Sequence, residues 1–563
     1  MSLSASFRYQ LGLGHESDPC RSSAANNPPS RHEPIKDAGM DEMAKDYKKG
    51  DSSPTANVQP VVYSDANERE EERLAQLGYK QEFAREFTNL STISFAFSIM
   101  GVASSVATTI DTPLLLGGPV SVVWCWFIGS FMCMCLGLAI AELISAYPTN
   151  GGLYSASAFL VPRRWRPLVG WIIGWLNILG QVAGVASTEW GLANMILAAA
   201  SVSTDGSYVA TAGHTMGVYV GLLVIHGLLN SVGTRIIAAI TRVFVFINLG
   251  TVIAVVIALA VTCKDKHPAS YVFTEAIDQS GWDSPGFSVL LGLLSVCWTM
   301  TDYDATAHIS EEVQKASIRA PVAIVIAVAG TGIFGWVYNI MYVLCSGPID
   351  ELPGAAGYSA ATIILRNVGK RGFYVLWTCV CFTAFAVVST ALQANARTVH
   401  AFSRDGGLPD RGIFCKIAKN RVPINAVWIV CFVSALLGLL RFASTVAVNA
   451  VFSLCAIALD SSYAVPIACK LLFRNHPEVN YQPGPFALRG WLGTVIPAVA
   501  VTWVSFTVVI LAMPETLPIT QYTWNYSSTI LGGVILLALI WYGVGGRKHY
   551  FGPRQAFEAL EKA

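Results

Sequence analysis

Charge is what this sequence has least of. Only 13% of its 563 residues are Asp, Glu, Lys or Arg, about half the share usual in a soluble chain. That is too little to cover the surface of water-soluble domains of this total size. Neither sign is in excess, with 37 Lys and Arg against 36 Asp and Glu, which excludes a nucleic-acid partner held by bulk positive charge. Cysteines at zinc-site spacing are missing too. Most of the thirteen, such as Cys125, Cys133, Cys297 and Cys431, lie inside apolar runs and read as small packing residues. Cys263 and Cys345 fall near two expected outer loops, and a bridge between them is the alternative. No metal and no cofactor is expected. No apolar stretch follows Met1, so no cleavable signal peptide is expected. No nucleophile–base set stands out, so the chain does not read as an enzyme.

What is abundant is apolar sequence. Hydrophobic residues make up 53% of the chain, and its mean hydropathy is +0.50. An apolar bilayer core of about 30 Å needs about 20 helical residues per crossing, because no backbone polar group can stay unpaired in lipid. Twelve such spans are expected, at about 91–115, 119–146, 168–197, 216–232, 236–262, 286–314, 320–345, 373–402, 423–440, 444–471, 488–513 and 528–546. Residues 1–85 read as a polar cytosolic tail followed by a short amphipathic helix over Asn67–Glu86, with Leu74, Leu77 and Phe83 on one side. Residues 86–546 form the membrane domain, and 547–563 a second cytosolic tail. With the amino terminus inside, the inner loops carry fourteen Lys and Arg (from Arg163 through Arg404 to Arg489) and the outer loops six, Lys264, Lys266, Arg366, Lys370, Arg371 and Arg441. That bias puts both termini in the cytosol. The sequon Asn525-Tyr526-Ser527 then falls outside, within reach of glycosylation.

Two spans do not read as plain helices. The first gathers Ser98, Met100, Gly101, Val102, Ala103, Ser104 and Ser105 at mid-depth, and glycine lowers the cost of leaving helical geometry. The sixth carries Trp298-Thr299-Met300-Thr301-Asp302-Tyr303-Asp304, with two carboxylates near the bilayer centre. Such acids are costly unless paired or wetted, and so are functional candidates. Interruptions five spans apart are the signature of an inverted five-plus-five repeat with a solute site where the broken helices meet. A helix ending in mid-membrane leaves N–H or C=O groups without internal partners. The amide end suits an anion and the carbonyl end an ammonium, so a zwitterion fits both. A packing kink is the plainer alternative.

At these residues the sequence resembles a known family. The run Ala141-Glu142-Leu143-Ile144-Ser145-Ala146-Tyr147-Pro148-Thr149-Asn150-Gly151-Gly152-Leu153-Tyr154 is similar to the loop after the second span in the amino acid–polyamine–organocation superfamily. Leu77–Phe83, Tyr303-Asp304-Ala305 with His308–Glu312, and Ala401–Pro409 resemble its fungal amino acid/choline branch, which includes the γ-aminobutyrate (GABA) permeases. The resemblance implies an all-α, twelve-helix, leucine-transporter-like fold and alternating access, usually with protons as a partner. It implies a substrate carboxylate on the amides of Gly101, Val102 and Ala103, near Ser98 and Met100. The amine would meet carbonyls around Trp298, Thr299 and Thr301, beside Asp302 and Tyr303. Relatives often have Gly where Asp302 stands; the acid either meets a cationic substrate or pairs with a neighbouring helix. Asp304 is assigned to coupling or gating, with a fixed polar pair as the alternative. Asn248 occupies the place where some relatives have a proton-carrying Lys. Gln181, Gln393 and Asn395 line the pathway or bond between helices.

The remaining polar residues have plainer readings. Glu142 and the Gly151-Gly152 turn are expected at an inner gate. Glu311 with Lys315 reads as an i,i+4 ion pair, Arg242 with Asp460 as a gate pair, and His226, His308 and His400 as satisfied polar residues. The expected partners are an amino acid or amine, protons and the lipid bilayer, in the plasma or vacuolar membrane. The chain thus reads as an amino acid importer, with an amine transporter or a transporter-like nutrient sensor as alternatives.

Overall fold

Long apolar runs become helices here because a helix pairs its own backbone groups without water. The computed structural model describes residues 71–553, apart from 73, 76, 78, 444, 480 and 522. Most of the expected amino-terminal tail, and the last residues of the carboxy-terminal one, lie outside the described residues. Eleven helices in the described part are long and apolar enough to cross a membrane. They are α1 (Asn89–Thr109), α2 (Ser121–Ala146), α3 (Arg166–Ser203), α4 (Ala212–Asn230), α5 (Thr234–Thr262), α7 (Ala316–Leu344), α8 (Ser359–Arg404), α9 (Ile424–Phe442), α10 (Ala447–Phe473), α11 (Leu492–Ala512) and α12 (Tyr526–Val544). The sixth expected span is present only as two shorter pieces, α6a (Pro285–Thr299) and α6b (Ala305–His308). No strand occurs among the described residues, only a single parallel bridge between Phe87 and Val313.

The packing repeats itself after five helices. Helix α1 packs on α5 and α7, and α6a packs on α10 and α2. Helix α5 lies against α8, and α10 against α3. The pairs α3–α4 and α8–α9 also correspond, while α2–α7, α3–α8 and α4–α9 map onto themselves. Each pair becomes another observed pair when five is added to or subtracted from its helix numbers, which is what an inverted repeat requires. Helices α11 and α12 stand outside it, against α2, α10 and α3. Burial follows the same order. The apolar stretch of α1 is 89% buried and that of α12 only 11%, so α1 is central and α12 lies on the outside. Phe131, Leu228, Phe246 and Leu537 line the exposed apolar outside.

Three expectations are corrected at the periphery. The amphipathic helix expected up to Glu86 stops earlier: residues 79–86 form no helix, although Leu74 and Phe83 are buried as their apolar character demands. Cys263 and Cys345 are free thiols rather than a bridge. The Asn525 side chain is spent on structure. Its Nδ2 donates to Leu511 O at 2.7 Å and Met513 O at 3.0 Å, and its Oδ1 caps α12 by accepting from Ser527 N at 3.1 Å. A glycan on that nitrogen would remove both donated bonds. Glycosidase treatment of the cell-derived protein is therefore expected to leave its mobility unchanged, and Asn525→Ala to cost about 1–2 kcal/mol of stability by thermal unfolding.

Candidate functional site

The break in α1 follows from one glycine. Gly101 has φ 46° and ψ 53°, a left-handed conformation that costs an L-residue about 1–2 kcal/mol. A Cβ there would also lie 2.0 Å from Val387 Cγ2 of α8. The helix therefore stops at Met100 and restarts at Val102. Asn248 of α5 bridges the gap: Nδ2 donates to Phe97 O at 3.4 Å, and Oδ1 accepts from Ala103 N at 3.5 Å. Both bonds are long and hence weak. Val102 and Ser104, in the first turn of the second piece, have amides without helical acceptors.

The break in α6 lies opposite. Thr109 of α1 and Ser295 of α6a share a hydrogen bond of 2.8 Å, which ties the two broken spans together. Helix α6a ends at Thr299, and Asp302 takes φ 58° before α6b begins. Aspartate tolerates this conformation better than most residues, which explains how an acid can stand at this turn. Gln181 Nε2 of α3 donates to Asp302 Oδ1 at 3.5 Å. Trp298 donates to Ser187 Oγ at 3.1 Å and packs on Phe452, with ring centres 5.0 Å apart.

Buried polar atoms without partners collect around these breaks. Ser98 Oγ, Thr299 Oγ1, Thr301 Oγ1, Tyr303 OH and Gln181 Oε1 are among them, all in residues expected at the site. Each such atom costs about 1–3 kcal/mol if left dry and unpaired, so the region is suited to a polar solute. Gln393 and Asn395 have fully unpartnered amides, so they are not spent on bonds between helices. Asp460 of α10 is buried with a free Oδ1. A cavity of about 520 Å³ leads in from the end of the bundle away from the chain termini. Its lining includes Thr109, Asp111, Trp190, Leu294, Phe452 and Glu515.

Asp304 is wholly buried and held by three groups. Tyr463 OH donates to Oδ1 at 2.6 Å, Asn177 Nδ2 donates to Oδ2 at 2.9 Å, and His308 Nε2 lies 3.1 Å from Oδ2. The other expected gating acid, Glu142, is remote from the break. It pairs with Lys470 and so joins α2 to α10 at the terminal end.

That terminal end is sealed by a network only partly legible in the sequence. Glu311 and Glu312 turn inward instead of pairing along the helix with Lys315. Glu312 binds Arg397 at 2.8 Å, with both side chains fully buried, and Glu311 faces Arg404 at 3.5 Å. Asn150 in the loop after α2 clasps Glu311 twice, by N to Oε1 at 3.1 Å and by Oδ1 from Glu311 N at 2.9 Å. Residues 79–88 form a strap across this seal. Gln81 Nε2 donates to Glu311 O, Arg85 Nη1 to Val313 O, and Phe87 exchanges backbone bonds with Glu312 and Gln314. Tyr79 and Tyr154 both donate to Asp405 Oδ2. Arg242 and Asp460 form no ion pair: Arg242 is exposed and lies beside Glu86 and Gln314, while Asp460 is buried. Arg397 had a signal that was missed, since an Arg inside an apolar run is itself a functional flag.

Burial raises the strap's Glu82 carboxyl above its ordinary range, with Arg404 pulling it back down. A raised acid binds its proton more readily in the docked state. Docking is thus favoured at pH below the ordinary carboxylate range and loses that contribution as pH rises through the raised value.

Comparison with known proteins agrees with this geometry. The family profile described as amino acid permease matches residues 87–536. An uncharacterized amino-acid permease of Schizosaccharomyces pombe is 46% identical over 492 residues, covering 86% of this chain and 90% of its own. Amino-acid permease 2 of Neurospora crassa is 35% identical, covering 87% and 90%. The GABA-specific permease of Saccharomyces cerevisiae is 32% identical, covering 88% and 87%. Among solved structures, a manganese transporter of Eremococcus coleocola superposes with a TM-score of 0.51 at 14% identity, over 82% of this chain and 95% of that one. At that identity the likeness concerns the fold alone.

The Arg397–Glu312 pair gives a direct test of the seal. Arg397→Met strands a buried carboxylate and is expected to cost about 3–5 kcal/mol, whereas the double change with Glu312→Met is expected to recover most of it. Thermal unfolding of the detergent-solubilised protein reads the difference.

Proposed function

The chain belongs to the amino acid permease family, as an integral multi-pass membrane transporter and not an enzyme, and from that premise we propose that it imports amino acids by proton-coupled alternating access, with GABA or a similar ω-amino acid as substrate. The observation that carries this reading is the pair of facing helix breaks, with unpartnered buried polar atoms between them. Of the three amides expected to meet a carboxylate, Val102 has no helical acceptor and Ala103 has only the long bond to Asn248, so both suit it, whereas Gly101 N donates to Phe97 O at 3.4 Å. The carbonyls around Trp298–Thr301, with Asp302, suit an amine. The GABA-specific relative supports the choice of substrate. Asn248 carries no ammonium, so a proton must bind elsewhere, and Asp304 is the acid at hand. In this reading both termini are cytosolic, by the excess of Lys and Arg in the loops at that end, and the plasma membrane is the site of action, with the vacuole as the alternative.

A second reading has its own observation. Asp302 and Asp460 are buried without cationic partners, and the entry cavity carries Asp111 and Glu515 with no Lys or Arg in its lining. A cationic amine such as choline or a polyamine would gain from all four. Uptake in a permease-deficient cell, with labelled amino acids and amines at two external pH values, separates the readings. Amino acid accumulation that rises at the lower pH is expected. Accumulation of amines alone would favour the second reading, and binding without uptake would indicate a sensor. Asp302→Gly relieves a left-handed backbone and is expected to change competition of GABA uptake by choline and arginine more than it changes protein yield. An unchanged ranking removes Asp302 from substrate recognition.

A further inference from the structure

His308 has acceptors on both sides of its ring. Nδ1 lies 3.0 Å from the backbone carbonyl of Asn150, and Nε2 lies 3.1 Å from Asp304 Oδ2. A carbonyl oxygen only accepts, so Nδ1 carries a hydrogen. The contact of Nε2 with Asp304 then needs a second hydrogen, on the ring or on the acid. Either way, the pair holds one proton more than a neutral imidazole beside a carboxylate. If that proton leaves, two lone pairs face each other across 3.1 Å. Moving the remaining hydrogen to Nε2 only transfers the conflict to Asn150. One of the two contacts must open.

We propose that Asp304 and His308 together bind the transported proton, and that its release frees the Asn150 loop and so unlocks the terminal end. This rests on the transport reading and names the residue through which it is regulated. The proton balance is simple: the pair is neutral when loaded and carries one negative charge when emptied, the proton passing to water at the terminal end. That negative charge would be fully buried, on α6 beside the equally buried Asp302, with Asp460 buried on α10. Tyr463 and Tyr303 face it from α10 and α6, and Asn177 from α3. Among the described residues no Lys or Arg pairs with Asp304, and Arg397 is engaged by Glu312 and Arg404 by Glu311 and Glu82. Admitting water by opening is the remaining relief.

The path from the pair to the seal is short. Asn150, which accepts from His308, also clasps Glu311, and Glu311 holds Arg404 and the strap through Gln81. The ring is confined against this loop. Gly152 has φ 55°, and a Cβ there would stand 2.7 Å from His308 Cε1. The glycine turn noted in the sequence thus makes room for the histidine.

The molecule contains its own control. His226 has the same construction, with Nδ1 3.0 Å from Glu189 Oε1 and Nε2 3.1 Å from Phe385 O. It joins α4 to α3 and α8, and neither partner belongs to the set formed by Asp304, Asn150 and Glu311.

The test uses the full-length protein in liposomes with the membrane potential clamped. A gradient of about one pH unit supports at most about tenfold accumulation per proton. Wild type and His226→Gln are expected to concentrate labelled GABA under this gradient. His308→Gln is expected to exchange GABA at a rate independent of pH and to lose accumulation. Gradient-driven accumulation in His308→Gln, or its loss in His226→Gln alone, would overturn the proposal. Nitrogen NMR of histidine-labelled protein tests the proton without any substrate. Over a pH series, the signal missing from His308→Gln should change in wild type, and in Asp304→Asn it should not. A His308 signal that stays fixed across the series in wild type would refute the inference even if GABA is transported. Failure of wild type to exchange GABA, with a titrating His308, would reject the substrate and keep the proton site.

Discussion

Backbone groups that find no partner inside an apolar medium dominate this structure. Every intact helix hides them by pairing with itself. The two broken ones cannot, and the protein has built its interior around the consequence. At Gly101 the backbone turns left-handed against Val387, and a single neutral amide, Asn248, spans the gap with two long bonds. Weak, exchangeable bonds are what a solute site needs, since a ligand must displace them at little cost. At Asp302 the same demand is met by a residue that can adopt the turn and also carries charge.

The second constraint is charge in a place that resists it. Buried acids outnumber buried cations around α6, and the structure treats the two kinds of acid differently. Glu311 and Glu312 receive arginines and so lock the terminal end. Asp302, Asp304 and Asp460 receive only neutral donors, a histidine or nothing charged at all. The first group is held by opposite charge; the second is left without a countercharge. One short piece of chain, from Asp302 to Glu312, therefore holds both kinds, separated by little more than a turn of helix and tied together through the Asn150 loop.

The all-helical character, most of the spans and the two interruptions were legible because each rests on local chemistry: apolar length, small residues at mid-depth, acids where none should be; the eighth helix begins at Ser359, well before the expected 373. Among the residues expected on the broken spans and beside them, Ser98, Thr299, Thr301, Tyr303 and Gln181 have buried polar atoms without partners. Partners were not legible. Glu311 was assigned to Lys315 by helical spacing, yet the backbone after His308 leaves the α-helix, so the spacing no longer applies and the glutamate turns to Arg404. Asn525 looked like a glycan acceptor until its amide was found capping α12.

The amino-acid sequence alone determined that this is an all-helical, multi-span membrane chain with interruptions at Gly101 and around Asp302, because hydropathy and backbone freedom are written residue by residue. Only the tertiary structure decided which acid meets which base, which histidine shares its protons with two acceptors, and which end of the bundle is shut. Those depend on side chains 85, 127 or 159 positions apart coming within hydrogen-bond reach, and no local pattern encodes which distant residue will fill a given site.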